Sequence, residues 1–203
     1  MERGSFAARH DFDALPLSPD VDVRCAQFSE ISALSEMAHR LVPGVRIGTA
    51  ELARYLAFDP ESILSFSRKG RLLGGMAFLF LNERGHDALL LDEICLTAPE
   101  TRHLASANGD VAAIYIWAIA ATGRGIAGLG KAASHLRQLR FRGADCYAQP
   151  STVAGRDIMR ATGFAPVPSF QPDLWCYERP WHRQPIPMPG AIIHARSFAD
   201  ARY

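Results

Sequence analysis

The stretch ATGRGIAGLGKA, residues 121–132, follows the apolar run AIYIWAIA at 113–120. Apolarity alone allows this run to be a buried strand or a short helix, but the glycines after it favour a strand that leads into a helix. Two phosphate-binding patterns overlap in the turn. Residues 123–128 spell GxGxxG, and residues 125–130 spell GxxGxG. The predicted fold depends on which of the two patterns, if either, holds a ligand.

The GxGxxG pattern is typical of NAD(P)-binding sheets, where it belongs to the first strand–helix–strand unit. Here most of the chain precedes the pattern, so too few residues follow it to supply the other strands of a doubly wound sheet. The acidic residue expected at the end of the next strand is also misplaced, because Asp145 lies near the start of the predicted strand 144–149. An NAD(P)-binding protein is therefore the third hypothesis.

The GxxGxG pattern uses the same physics for another ligand. The first turn of a helix presents N–H groups without partners and a partial positive charge, and glycines let a phosphate approach the backbone closely. Arg124 and Lys131 add positive charge at the rim of this turn. The alternative is that the glycines only permit a tight turn and close packing of the helix on the strand.

Two spaced motifs resemble those of the GCN5-related N-acetyltransferase (GNAT) superfamily. Its members carry an (Arg/Gln)-x-x-Gly-x-(Gly/Ala) loop, which residues 125–130 match except that Gly125 takes the first position, next to Arg124. Its next signature is a helix that ends in Gly-Phe, which STVAGRDIMRATGF at 151–164 fits. The resemblance covers residues 21–178. It implies an α/β (α+β) acyl-CoA N-acyltransferase fold, with a mixed central sheet and helices on both faces.

The resemblance also implies acetyl-CoA or another acyl-CoA as the cofactor. Backbone amides of 126–130 would hold its pyrophosphate, and its pantetheine arm would enter a V between strand 114–120 and the parallel strand 144–148. Thr152 would start the last helix close to the cofactor, with helix capping as its alternative role. The implied cofactor-binding residues are Ala118, Ile119, Ala120, Arg124, Gly125, Ile126, Ala127, Gly128, Leu129, Gly130, Lys131 and Thr152.

Acyl transfer to an amine needs a base for the amine and an acid for the departing thiolate. Glu93, followed by Asp92, is the predicted base, because both interrupt the apolar run ALLLDEICLT at 88–97, which predicts a strand. Burial on such a strand would raise the pKa of a carboxyl group into a useful range. Neighbouring strand residues point to opposite faces, so only one of the two can face the cleft. A solvated strand face or a structural ion pair is the alternative.

In many GNAT members the acid is a tyrosine four residues before the Gly-Phe glycine, and here that position is Met159. Methionine cannot donate a proton. Tyr147 is the predicted substitute, and Tyr115 is a weaker candidate. The alternative for Tyr147 is a ring in the core with its hydroxyl group at the surface.

The rest of the chain predicts an N-terminal arm at 1–20, a single GNAT-like domain at 21–179 and a Pro-rich C-terminal arm at 180–203. The C-terminal arm would pack on the domain or on a partner, which makes a homodimer possible. The predicted extra strand and irregular stretch at 88–112 would shape the acceptor site or a subunit contact.

Composition excludes several other classes. The 203 residues carry a net charge of +1, which gives no support for a nucleic-acid partner, and the four cysteines lack the spacing of a metal site or a disulfide framework. The N-terminal residues lack the pattern of a secretory signal, and the longest apolar run, 111–121, is too short to span a bilayer. We therefore expect a cytoplasmic protein with no metal and no membrane partner.

The leading functional hypothesis is an N-acyltransferase that moves an acetyl or other acyl group from acyl-CoA to a small-molecule or peptide amine. The alternative is a non-catalytic CoA-binding or protein-interaction domain of the same fold, which Met159 and Gly125 favour.

Overall fold

The computed structural model describes residues 11–44 and 47–179, which form one central sheet with helices packed on it. The strands are β1 (Asp22–Cys25), β2 (Ile63–Arg68), β3 (Arg71–Leu81), β4 (Ala113–Ala121), β5 (Asp145–Ala148), β6 (Ala165–Pro166) and β7 (Trp175–Tyr177). The helices are α1 (Ile31–Leu41), α2 (Thr49–Phe58), α3 (Glu83–Leu90), α4 (Leu129–His135) and α5 (Val153–Ala161).

The strand order is β1-β2-β3-β4-β5-β7-β6, and only β4 and β5 run parallel. These two strands are joined through α4, as a parallel pair requires, because a crossover must return the chain to the same end of the sheet. The glycine turn lies at the start of that crossover. The predicted mixed sheet and the predicted parallel neighbours are both confirmed.

The core lies on both faces of the sheet. On one face, apolar side chains of α1, α2 and α3 pack on alternate strand residues; among them are Leu34, Leu52 and Leu89. On the other face, Ala132 and Ala133 of α4 pack on the intervening strand residues. Within β4, Tyr115 points to the first face and Ile116 to the second, as the two-residue period of a strand requires. The predicted arrangement of helices on both faces is confirmed.

The predicted strand at 88–97 is wrong. Residues 83–90 form helix α3, whose N-terminus is capped by the Asn82 side chain, which accepts a hydrogen bond from the Gly85 N–H at 2.9 Å. Gly85, Ala88 and Leu89 are buried at helical spacing, whereas Leu91 is exposed. A continuous apolar run does not distinguish a strand from a helix followed by a loop, and here the signal that decides lies upstream, at Asn82.

The packed part of the chain begins earlier than predicted. Phe12 already belongs to it, because its side chain is 4% exposed and its N–H donates to the Thr162 carbonyl at 3.0 Å. The described part of the predicted N-terminal arm, residues 11–20, therefore contributes packed side chains to the domain. The predictions for residues 1–10 and 180–203 lie outside the described residues. Among those that are described, no helix is long and apolar enough to cross a membrane.

Candidate functional site

The parallel strands β4 and β5 separate after a short paired stretch. They pair from Ala113↔Asp145 to Ile116↔Ala148, and β4 then continues to Ala121 along β3. The chain after β5 instead reaches Pro150, which has no N–H to donate to a strand ladder. Within the described residues, no strand pairs with this edge of β4 beyond Ile116.

A β-bulge in β4 lies at the point of separation. Ala77 of β3 pairs with Ala118 and Phe78 pairs with Ile116, so Trp117 is the extra residue on β4. Trp117 and Ala118 consequently both pack towards the face of α1–α3, and the alternation of the strand is reset. A bulge bends its strand and strengthens the local twist. It thereby explains why β4 diverges from β5 here rather than further along.

A cavity of about 240 Å³ lies in the resulting cleft. One wall is formed by residues 116–119 of β4, and the opposite wall by residues 148–152 and the facing side of α5. Phe12 and Leu15 from the N-terminal segment, and Leu41 and Val42 at the end of α1, complete the apolar lining. Of the predicted cofactor-binding residues, Ala118, Ile119, Ile126, Leu129 and Thr152 line this cavity.

The glycine turn lies at the end of β4. Residues 123–128 form a 3₁₀ turn that leads directly into α4, so the turn and α4 form one continuous helical segment. The side chain of Arg124 is largely exposed and lies 4.0 Å from Asp20, and that of Lys131 lies 3.9 Å from Asp22. Exposed ion pairs of this kind contribute little free energy. Both cations can therefore turn towards an anion at the turn.

The three glycines of the GxxGxG pattern are required by packing. A Cβ on Gly125 would lie 2.9 Å from the Leu73 carbonyl oxygen, and one on Gly128 would lie 2.8 Å from a ring carbon of Phe66. A Cβ on Gly130 would collide with the Pro16 carbonyl oxygen. The glycines therefore permit close packing of the turn on its neighbours, and the binding of a phosphate by the backbone of the turn stays a prediction. A side chain at Gly128 would point towards the buried Phe66 ring in the core.

The predicted bases do not occupy the environment expected of them. Asp92 and Glu93 lie in the turn that follows α3, and both are exposed. The Glu93 N–H donates to the Ala88 carbonyl at 2.8 Å, and Asp92 adopts a left-handed φ of 59°, which aspartate tolerates. The predicted burial, and with it the physical reason for a raised pKa, is wrong. The cavity in the cleft is lined by other residues.

Tyr147 lies on β5 with its side chain on the face of α1–α3. Its hydroxyl group lies 2.9 Å from Nε2 of His86 on α3. Burial raises the pKa of Tyr147 and lowers that of His86. The ring lies in the core, as the alternative expected, but the hydroxyl group lies against His86 rather than at the surface. The catalytic role of Tyr147 stays a prediction. His86 was not identified from the sequence, where nothing distinguishes it from a surface histidine.

A second tyrosine connects the strands where they part. The Tyr115 hydroxyl group on β4 donates to Oε1 of Gln149 at 2.7 Å, and Nε2 of Gln149 donates to the Pro172 carbonyl at 2.6 Å. Burial raises the pKa of Tyr115, so its hydroxyl group stays protonated as a donor. Gln149 lines the cavity. Its carboxamide thus links β4, the end of β5 and the loop before β7. Sequence inspection missed Gln149, because its partners are distant in the chain.

Two residues of the Gly-Phe helix region, Thr152 and Met159, line the cavity. The Thr152 hydroxyl oxygen accepts a hydrogen bond from the Gly155 N–H at 2.9 Å, so Thr152 caps α5 while also lining the cavity. Met159, four residues before the glycine of the Gly-Phe pair, lines the cavity as well. The structure therefore places an apolar thioether, rather than a phenol, against the cleft.

No known family model matches the sequence, and no curated protein is significantly similar to it. The GNAT-like decarboxylase GphF in complex with isobutyryl-CoA is 17% identical over 71% of this chain and 72% of that chain, with a TM-score of 0.45. The loading GNATL domain of CurA from Lyngbya majuscula is 13% identical over 64% of each chain, less than two thirds of either, with a TM-score of 0.45. A GNAT family acetyltransferase from Brucella melitensis in complex with acetyl-CoA is 19% identical over 78% of this chain and 87% of that chain, with a TM-score of 0.44.

Similarity at such low values gives no information about substrate or reaction. The fold assignment therefore rests on the strand order of this chain and on the parting of β4 from β5.

Proposed function

We propose that this protein binds an acyl-CoA in the cleft between β4 and β5 and transfers the acyl group to an amine. The observation that carries the proposal is the cleft itself. Two parallel strands pair over four residues and then part, and they enclose an apolar cavity that leads towards a glycine turn and a helix start. A long ligand with amides in its middle and phosphates at one end matches the order of the free edge of β4, the apolar cavity and the glycine turn along the cleft.

Each part of the cleft offers chemistry that suits a part of acyl-CoA. The edge of β4 beyond Ile116 presents backbone N–H and C=O groups, which an extended chain with amides can pair with as an added strand would. The start of the helical turn and the side chains of Arg124 and Lys131 attract a pyrophosphate. The apolar lining suits the methylene groups between the amides.

When bound, the cofactor supplies an activated thioester. The contribution of this chain is to orient that group, exclude water and place donors near it. Gln149 is fixed by its two hydrogen bonds, to Tyr115 and to Pro172. An amide nitrogen carries two N–H bonds and Pro172 takes one of them, so the other can donate to a ligand in the cavity.

A non-catalytic CoA-binding domain is the second candidate function. Met159 favours it, because methionine lines the cleft where many GNAT members have a proton donor. The exposed positions of Asp92 and Glu93 favour it too, since neither carboxylate shows the burial of a tuned base.

Two measurements separate the candidates. Isothermal titration with acetyl-CoA, free CoA and NAD tests the ligand class, and we expect micromolar binding of the first two and none of NAD. Release of the CoA thiol across a panel of small amines and peptides then tests catalysis. Thiol release that depends on an amine supports the transferase, whereas binding without release supports the second candidate. Failure of acetyl-CoA and CoA to bind would refute both.

A matched pair of variants on α5 locates the binding site. Ala154→Phe places a ring in the cleft, whereas Val153→Phe places the same ring on the exposed neighbouring residue, which does not line the cavity. We expect the first variant to abolish CoA binding and the second to retain it. Equal affinities in the two variants would place the ligand elsewhere.

A further inference from the structure

The segment that follows α3, residues 91–104, contacts α2 through one buried hydrogen bond. The Tyr55 hydroxyl group donates to the Pro99 carbonyl at 2.7 Å. Nη2 of Arg54 lies 3.3 Å from the same oxygen, and its guanidinium carbon lies 4.7 Å from the centre of the Tyr55 ring. Burial raises the pKa of Tyr55, so the phenol stays protonated as a donor. The segment therefore holds the Tyr55 ring in one orientation.

The Tyr55 ring in turn contacts Trp117. The two ring centres are 5.1 Å apart, and the ring planes meet at 85°, which is an edge-to-face arrangement. Tyr55 is almost fully buried, and it packs in the same apolar cluster as Trp117. A contact path thus runs from Pro99 through Tyr55 to Trp117.

Trp117 occupies a distinctive place in the cleft. It is the extra residue of the β4 bulge, it lines the cavity, and it directly follows the last residue of β4 that pairs with β5. The glycine turn lies at the opposite end of the free part of β4, after Ala121. A cofactor whose phosphates bind at that turn brings its acyl end towards Trp117.

We propose that Pro99 and Tyr55 fix the position of the Trp117 ring, and that this ring limits the size of the acyl group that the cleft accepts. The proposal rests on the acyl-CoA function proposed above. The segment at 91–104, for which the sequence suggested either the acceptor site or a subunit contact, would then brace one wall of the cleft. Tyr55 is a positioning residue in this scheme, since it acts through Trp117.

A double-mutant cycle tests the proposal with acetyl-CoA and butyryl-CoA as ligands. The quantity measured by titration is the ratio of the two dissociation constants, butyryl-CoA over acetyl-CoA. We expect Tyr55→Leu to lower this ratio by about three- to tenfold, because an aromatic pair of this geometry contributes that much. Tyr55→Phe keeps the ring but loses the bond to Pro99, so we expect a smaller decrease. In a Trp117→Leu background, Tyr55→Leu should change the ratio less than twofold.

Phe141→Leu is the matched control. It removes another fully buried ring, one that stacks on Phe80 and does not line the cavity. We expect it to lower the melting temperature and leave the ratio unchanged. A Tyr55→Leu effect that is absent, or equal in both backgrounds, would overturn this proposal alone. If the wild-type protein binds neither ligand, the proposed function fails, and this proposal fails with it.

Discussion

Replacement of Gly128 by alanine tests whether this glycine serves packing or a ligand. Its backbone, with φ of −67° and ψ of −20°, is ordinary right-handed helix, so alanine is conformationally allowed there. Its Cβ would lie between 2.8 and 3.0 Å from three carbons of the Phe66 ring, and Phe66 is fully buried. The substitution therefore forces a displacement in the core rather than at the surface.

The expected magnitude follows from two opposing contributions. Overpacking of a close-packed core costs about 1–3 kcal/mol. Replacing glycine by alanine at a helical position stabilises the folded state by about 0.5–1 kcal/mol, because alanine loses less conformational entropy on folding. The middles of these two ranges leave a net loss of stability of about 1 kcal/mol, so at about 2–4 °C per kcal/mol for a chain of this size the melting temperature should fall by about 2–5 °C.

The assay is thermal and denaturant unfolding of Gly128→Ala, Phe66→Leu and the double variant. Phe66→Leu makes room for the new methyl group, so the double variant should lose less stability than the two single variants lose together. Gly143→Ala is the control, because a Cβ at Gly143 meets nothing within 4 Å. Unchanged stability of Gly128→Ala together with lost CoA binding would refute the packing explanation and return this residue to the phosphate site.

Three further predictions concern charge, hydrogen bonding and pH. Replacing Arg124 and Lys131 together by glutamine should weaken CoA binding about 3- to 30-fold at low salt, because exposed charges contribute about 0.3–1 kcal/mol each. The effect should be smaller at high salt, where such charges are screened. A salt-independent effect would contradict an electrostatic role. Gln149→Leu should weaken CoA binding about tenfold, since it removes the carboxamide that links Tyr115 to Pro172. Gln138→Leu, at an exposed glutamine, is the control and should leave CoA binding unchanged. Equal affinities in the two variants would exclude a role for Gln149. Burial lowers the pKa of His86 below its ordinary 6.5, so its stabilising contribution is complete above pH 6.5 and is lost as the pH falls towards its folded-state pKa. The denaturant midpoint should therefore depend less on pH in His86→Gln than in the wild-type protein over this range. An equal pH dependence of the two midpoints would contradict the burial of a neutral His86.

The sequence predicted the features that local patterns encode. The apolar run before the glycine turn is a strand, and the helix after it returns the chain to a parallel neighbour, because both depend on signals within one stretch of chain. The helix α3 was missed because its deciding residue, the Asn82 cap, precedes the apolar run that suggested a strand. That error also placed Asp92 and Glu93 on a strand instead of an exposed turn.

The cleft itself depends on pairings that no single stretch contains. The bulge at Trp117 exists only in the register between β3 and β4, and the hydrogen bonds of Gln149 join residues 34 and 23 positions away in sequence. The bracing of Trp117 by Tyr55 likewise needs three separate segments to meet. Such contacts are set by tertiary packing, so the composition and periodicity of the sequence do not predict them.

The packing of the N-terminal segment determines where this protein can be shortened. A fragment that starts at Val21, the beginning of the domain by sequence pattern, would lack Phe12 and Leu15 from the wall of the cleft. It would also lack Asp13, the carboxylate that pairs with the fully buried guanidinium group of Arg179. An uncompensated buried charge costs about 3–5 kcal/mol, a large share of the stability of a single domain. Residues 13 and 179, which are far apart in sequence, thus belong to a single folding unit, and the cleft between β4 and β5 lies inside it.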